Sequence, residues 1–128
     1  MLLMKYMVAE GQNSAKFASK VKYLGSCLLP SPIELEGKII FYSDRIHIPE
    51  LDAIIPIGKV SKIEWVKGKD LPSEIIMMCG VVGAIIDKEK PYILMEIGSV
   101  SDSMLFKLED VLTADKLVRE IRTAKSQQ

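Results

Sequence analysis

Few side chains in this sequence of 128 residues are of the types that carry out chemistry, and they stand apart from one another. His47 is the only histidine, and it lies between Ile46 and Ile48 in a predicted strand without a Ser or Cys nucleophile motif nearby. Cys27 and Cys79 are far apart and fit no metal-ligand spacing. Neither a glycine-rich phosphate loop nor a nucleophile elbow can be found. The sequence therefore predicts a protein that is not an enzyme and that has no cofactor or bound metal.

Two groups of charged residues could contact ions or charged surfaces. Glu109 and Asp110 stand directly before a predicted helix, and we favour capping over cation binding because carboxylates stabilise helix N-termini. The second group is the basic side of that helix, which could meet an anionic surface: Lys116, Arg119, Arg122 and Lys125. Steps of three residues spread these charges around half the helix, so a solvated helix face is the preferred interpretation.

The composition excludes several partners and compartments. Lys and Arg number 17 and Asp and Glu number 17, so the formal net charge is zero and binding to nucleic acid is not expected. Two separate cysteines, in a chain whose first residues do not form a secretory signal, predict reduced thiols and a cytoplasmic protein. The longest run without a charge near its centre, residues 75–86, is too short to span a bilayer as a helix.

The last quarter of the chain has the one convincing helical period. From Thr113 onward, apolar residues recur at steps of three and four: Ala114, Leu117, Val118, Ile121 and Ala124. Thr113 is the predicted N-cap, and Leu112 and Leu117 have the spacing of a hydrophobic staple. We expect a helix over about residues 113–126 that buries this apolar stripe against strands.

Most of the remaining chain has the patterns of strands and turns. VKYLGSCLL, within residues 20–29, predicts a strand, and GKIIFY, SDR and IHI predict a hairpin. IIPIGKVSKIEW follows, with a predicted bulge or bend at Gly58. YILMEI and SMLFKL are further apolar strands before the helix.

The order of four segments resembles that of the pleckstrin-homology-like (PH-like) domains, and it is most similar to their small prokaryotic PH-like and GRAM-like branch. The segments are GKIIFYSDRIHI, IIPIGKVSKIEW, KPYILMEI and MLFKLEDVLTADKLVREI, and the resemblance covers about residues 36–125. It implies a mainly β fold: a partly open seven-stranded barrel of two near-orthogonal antiparallel sheets, capped by the C-terminal helix. We expect one domain over residues 20–126, with residues 1–19 as an unassigned segment that packs on or near it.

Members of this family mostly bind phosphoinositides, lipids or protein surfaces. The phosphoinositide-binding members have a basic cluster in the loop between their first two strands, because several phosphates need several Lys or Arg donors. The corresponding loop, within Ser26–Gly37, reads SCLLPSPIELEG and contains two glutamates and no basic residue. An inositol phosphate site of that kind is therefore not expected.

The segment IIMMCGVVGAII, residues 75–86, is unusual because both of its strand faces would be apolar. With the charged turn that follows it and the returning YILMEI, it predicts a hairpin that has one face in the barrel and the other covered. The candidate covers, in order of preference, are the N-terminal segment, a second subunit and the headgroup region of a membrane. The candidate interface residues are Met77, Met78, Val81, Val82, Ile85 and Ile86.

These patterns favour a non-catalytic PH-like interaction module that binds a protein partner through an apolar surface around residues 75–97. Two alternatives stay open: a self-associating structural subunit, and a domain that binds lipid or the membrane surface peripherally. The favoured location is the cytoplasm, and the second alternative would place the protein at the membrane.

Overall fold

A computed structural model of the chain describes residues 15–26, 35–73 and 86–127. Within these residues the protein is mainly β and ends in one α-helix, which confirms the predicted fold class. The strands are β1 (Phe17–Ser26), β2 (Leu35–Phe41), β3 (Arg45–Ile48), β4 (Ala53–Pro56), β5 (Val60–Lys67), β6 (Pro91–Ile97) and β7 (Ser99–Lys107). The helix is α1 (Val111–Ser126).

The seven strands of the described residues form one antiparallel sheet in the order β4-β3-β2-β1-β7-β6-β5. Two meanders, β1 to β4 and β5 to β7, are joined where β1 pairs with β7. The sheet is open, with β4 and β5 at its two ends. β1 begins at Phe17, three residues before the predicted domain boundary, and residues 1–14 lie outside the described residues.

Two local predictions in the first meander are confirmed. β2 and β3 form the expected hairpin, in which Ile40 pairs with His47. The expected bend at Gly58 is a 3-10 turn, Ile57–Lys59, which separates β4 from β5. Short-range turn patterns were sufficient for both predictions because the partners are close in the chain.

The predicted hairpin between residues 75–86 and YILMEI is wrong. Each edge of β6 already has a partner: β5 pairs with it from Val60 opposite Ile97 to Lys67 opposite Pro91, and β7 pairs with the other edge. β6 therefore has no edge left for residues 75–86. β6 pairs with β5 instead, and the connection 68–90 separates these two strands in the chain. The local sequence pattern does not indicate a pairing between strands so far apart.

The main core lies between the sheet and α1. The helix buries the predicted stripe of Ala114, Leu117, Val118 and Ile121, and Ala124 packs against the same core half-buried. From the strands this core receives Val21, Tyr23, Ile39, Phe41, Ile46, Ile48, Ile55, Val60, Ile63, Ile93, Met95, Met104 and Phe106. Burial of one leucine or isoleucine of the stripe stabilises the fold by about 1.5 to 3 kcal/mol.

The start of α1 differs from the prediction. Asp110 is the N-cap rather than Thr113, since its Oδ1 accepts a hydrogen bond from the Thr113 backbone N–H at 2.7 Å. The Thr113 hydroxyl donates to Asp110 Oδ2 at 3.0 Å. These two bonds lower the pKa of the Asp110 carboxyl, since both favour its charged form. Leu112 is 83% exposed, so the predicted staple with Leu117 is not formed.

A second apolar cluster lies on the outer face of the sheet, where β1, β7 and β6 are neighbours. Its buried members are Leu24, Leu71, Tyr92, Leu94 and Leu105, and Val66 and Ile86 pack against it half-buried. Successive residues of β6 alternate between this cluster and the main core, as the pleat of a strand requires. Both faces of β6 are therefore buried from Pro91 to Met95, which explains why this part of the strand is apolar.

The connection 68–90 is fastened to the sheet at its base. The Gly68 N–H donates to the Lys90 carbonyl at 2.9 Å, and the Lys69 N–H donates to the Lys88 carbonyl at 3.2 Å. The Asp87 N–H donates to the Tyr92 hydroxyl at 2.7 Å. These bonds hold the two ends of the connection beside the second apolar cluster.

Candidate functional site

An open groove of about 330 Å³ lies on the outer face of the sheet, where β2, β1 and β7 run side by side. We call it the lysine groove, after four of its lining residues: Lys20, Lys22, Lys38 and Lys107. Three glutamates also line it: Glu36, Glu50 and Glu109. Lys20 and Lys22 alternate along β1 with the core residues Val21 and Tyr23, so the groove lies on the side of the sheet that faces away from the core.

The strand register places these lysines opposite one another. Lys20 is paired with Lys38 across β1 and β2, and Lys22 is paired with Lys107 across β1 and β7. Directly opposite residues in antiparallel strands have Cβ atoms about 4.5 to 5.5 Å apart, and like charges there are destabilising. Lys22 also has Glu36 opposite it on β2. The groove thus gathers four lysines from three neighbouring strands.

Glu50 provides a fixed carboxylate at one end of the lysine groove. It lies in the 3-10 turn Pro49–Leu51, and its Oε1 accepts a hydrogen bond from the Lys38 backbone N–H at 2.9 Å. This bond lowers the pKa of the Glu50 carboxyl because it favours the charged form. Glu50 is therefore ionised at neutral pH and held at the edge of β2.

Gly37 makes the close approach of Glu50 possible. A Cβ at Gly37 would lie 2.9 Å from Oε1 of Glu50 and 3.2 Å from its Cβ. Real Cβ contacts are rarely so short, so any larger residue at this position would push the Glu50 side chain aside. Gly37, which pairs with the core residue Val21, thus leaves room for the Glu50 side chain beside β2.

The two acidic residues ahead of α1, Glu109 and Asp110, have different roles. Asp110 caps the helix, as predicted for this pair, whereas Glu109 faces Lys90, whose Nζ is 3.4 Å from Glu109 Oε1. Lys90 Nζ also donates to the Glu109 carbonyl at 3.3 Å. Within residues 15–26, 35–73 and 86–127, no group of three or more His, Cys, Asp or Glu side chains could hold a metal ion.

Arg122, a predicted contact for an anionic surface, is bound to the sheet. Its Nε and Nη2 donate to the Ile63 carbonyl at 3.1 and 2.8 Å. About two helical turns earlier, Asp115 Oδ1 accepts a hydrogen bond from Trp65 Nε1 at 3.1 Å. α1 therefore lies along β5, at one end of the sheet, and covers an edge strand that could otherwise pair with another chain.

Of the other basic residues of α1, Lys116 and Arg119 line one shallow pocket with Glu120 and Thr123, and each has its own partner. Arg119 forms an ion pair with Asp115, with 2.7 Å between Nη2 and Oδ2. Lys116 Nζ lies 5.2 Å from the centre of the Phe17 ring, within the range of a cation–π contact. Lys125 is half-buried near the end of the helix. The structure does not bring the four predicted residues together in one site.

Most of the predicted apolar interface lies outside the described residues, namely Met77, Met78, Val81, Val82 and Ile85. The sixth residue, Ile86, is half-buried and packs against the second apolar cluster. Cys27 and Cys79 are also outside the described residues. His47 is half-buried in β3, where it pairs with Ile40 and Ile54.

Sequence reasoning missed the lysine groove. Lys20 and Lys22 are two residues apart in a strand and therefore share a face, which is the local signal that could have been used. Lys38 and Lys107 lie beside Lys20 and Lys22 only because the strands pair. They are far from Lys20 and Lys22 in the chain, so the sequence does not indicate that they are neighbours.

No protein-family model matches the sequence, and no curated protein matches it. Among the helices of the described residues, none combines the length and the apolar character that crossing a membrane requires. The function is therefore inferred from the geometry and charge of the site.

Proposed function

We propose that the protein is a non-catalytic interaction module that binds a protein partner, with the lysine groove as its docking surface. The observation that carries this proposal is the register of β1 with β2 and β7, which sets Lys20 opposite Lys38 and Lys22 opposite Lys107. Like charges that are held side by side attract opposite charge that a partner supplies. The groove is open, so a partner can enter it without a change in the fold.

We also infer that the module is a PH-like domain located in the cytoplasm. The PH-like assignment is supported by the order of the four resembling segments and by agreement with the implied seven strands and terminal helix. The cytoplasmic location is supported by the two separate cysteines.

A second candidate surface is the apolar segment 75–86, through which the protein would bind a partner, associate with itself or contact lipid. It is favoured by the apolar composition of both strand faces of that segment. Residues 91–95 of β6 are buried and so add no exposed surface to it. The lysine groove is the stronger candidate because its geometry is defined.

The test compares two double variants that remove the same charge. Lys20→Gln with Lys38→Gln changes the groove, and Lys59→Gln with Lys62→Gln changes exposed lysines in and beside β5, outside the groove. Each variant and the parent protein are used as bait in cell extract, and the captured proteins are quantified by mass spectrometry. We expect the proteins enriched by the parent to be lost with the groove variant and kept with the β5 variant.

Equal capture by all three baits would contradict the groove as the docking surface. Loss with both double variants would show that total charge, rather than the groove, determines binding. Circular dichroism and thermal melting of the two variants should match the parent, because exposed surface substitutions change stability by about 0.5 kcal/mol or less.

A further inference from the structure

We infer that the lysine groove binds an extended acidic segment of the partner, one whose carboxylates alternate with other residues. This inference rests on the proposed docking role of the groove and adds the chemical class of what is bound. It follows from the spacing of the lysines, from the glutamates beside them and from the fixed position of Glu50.

The lysines are spread out rather than gathered around one point. Lys20 and Lys22 are separated by two residues along β1, which corresponds to roughly 7 Å, and Lys38 and Lys107 lie one strand away on opposite sides. An extended peptide also presents every second side chain on one face with the same spacing of roughly 7 Å. Side chains that alternate along such a peptide can therefore each meet a different lysine.

The same spread disfavours a single phosphate group. Phosphate is bound tightly by donors that converge, such as a paired arginine fork or successive backbone N–H groups. The lining residues of the lysine groove include no arginine, and its lysines lie on three strands. Separate carboxylates on one segment match this arrangement better.

The glutamates limit how much negative charge the groove accepts. Glu36, Glu50 and Glu109 stand among the four lysines, so the groove has only a small excess of positive charge. A dense polyanion or an anionic membrane would meet these carboxylates as well as the lysines. A segment with spaced carboxylates can place its charges at the lysines and its neutral residues at the glutamates.

Glu50 allows the sign of the ligand charge to be tested. Its carboxylate is fixed by the Lys38 N–H, and the amide oxygen of a glutamine could accept the same hydrogen bond. Glu50→Gln thus removes one negative charge from the groove with little change of shape. An acidic ligand should bind this variant more tightly, and a basic ligand should bind it more weakly.

The probes are fluorescent peptides whose binding to the full chain is followed by anisotropy. The first alternates glutamate with serine, the second has the same composition with its glutamates in one block, and the third replaces glutamate with glutamine. We expect the alternating peptide to bind most tightly, the block peptide more weakly and the neutral peptide not at all. Added salt should weaken binding because the lysine groove is open to solvent.

The variants assign this binding to the groove. Lys20→Gln with Lys38→Gln should weaken binding of the alternating peptide by about ten-fold, and Glu50→Gln should tighten it by about three-fold. The matched variant Lys59→Gln with Lys62→Gln should stay within about two-fold of the parent protein.

Several outcomes would overturn the inference and leave the proposed function standing. If the groove variant loses its captured proteins but the parent protein binds no acidic peptide, the groove is a docking surface for another chemistry. Weaker peptide binding by Glu50→Gln would contradict an acidic ligand. A different outcome would overturn both this inference and the proposed protein partner: groove-dependent binding of inorganic phosphate or of phosphatidylserine vesicles, without binding of the alternating peptide.

Discussion

The outer face of the sheet has two halves that differ in chemistry although the same strands build them. β1 contributes Lys22 to the lysine groove and Leu24 to the second apolar cluster, and β7 likewise contributes Lys107 and Leu105. Leu24 and Leu105 have no exposed surface, whereas both lysines are half-buried and line an open groove. Neighbouring positions on one face thus belong to a buried apolar cluster at one end and to an open, charged groove at the other.

The change from one half to the other coincides with an irregularity in β1. The pairing of β1 with β7 shifts between Tyr23 and Gly25, where the chain has one extra residue. Leu24 lies in this shift and packs in the outer cluster. Leu24 is on the same face as Lys22 by the ordinary alternation of a strand, and the bulge marks the position where the groove ends and the apolar cluster begins.

The largest expected effect contrasts the two halves within β7. Leu105→Ala removes a fully buried side chain and should lower the free energy of unfolding by about 2 to 5 kcal/mol. Lys107→Ala should lower it by about 0.5 kcal/mol or less, because a partly exposed side chain is replaced. Urea denaturation of both variants measures the difference. Equal losses of unfolding free energy would contradict the expectation that the apolar half contributes more to stability than the lysine groove.

A smaller effect is expected at the base of the connection 68–90. A Cβ at Gly68 would collide with the Asp87 carbonyl oxygen and lie 3.0 Å from Cγ2 of Ile86, which packs against the second apolar cluster. Gly68→Ala should therefore cost about 1 to 3 kcal/mol of stability, as overpacked sites do. The neighbouring Lys69→Ala is the control and should be close to neutral. A neutral Gly68→Ala would mean that the contact of Gly68 with Asp87 and Ile86 does not restrict the side chain at this position.

The smallest effect is the pH dependence at two exposed carboxylates. The pKa values of Glu50 and Asp110 are lowered in the folded protein from ordinary values of 4.5 and 3.8. Each group therefore stabilises the fold above its ordinary pKa, and that contribution is lost as the pH falls through the lowered value. The Tm advantage of the parent protein over Glu50→Gln and Asp110→Asn should shrink as the solution is acidified. An advantage that stays constant with pH would contradict the charged hydrogen bonds.

Sequence alone predicted the features that depend on residues close in the chain. The helical stripe from Ala114 to Ile121 was evident from its period, and the hairpin of β2 and β3 from its turn. The N-cap was misplaced by three residues, because Asp110 and Thr113 are both good capping residues and the Asp110 carboxylate accepts both hydrogen bonds from Thr113. The local sequence pattern thus limits the N-cap to a few candidate residues and does not decide between them.

Features that depend on distant pairing were not predictable. The apolar sequence at the start of β6 suggested a hairpin with residues 75–86. Residues 91–95 are apolar because both faces of the sheet are buried there, and the partners of β6 are β5 and β7. The lysine groove has the same origin, since Lys38 and Lys107 reach Lys20 and Lys22 only through the register of three strands.

The most direct test of the lysine groove is a nuclear magnetic resonance titration of the full chain with the alternating glutamate peptide. We predict that the amide signals that shift most are those of the groove strands, at Lys20, Lys22, Lys38 and Lys107. The signals of α1 should move little, because its basic residues do not form one site. Shifts concentrated on α1, or an absence of shifts at the groove, would contradict the account.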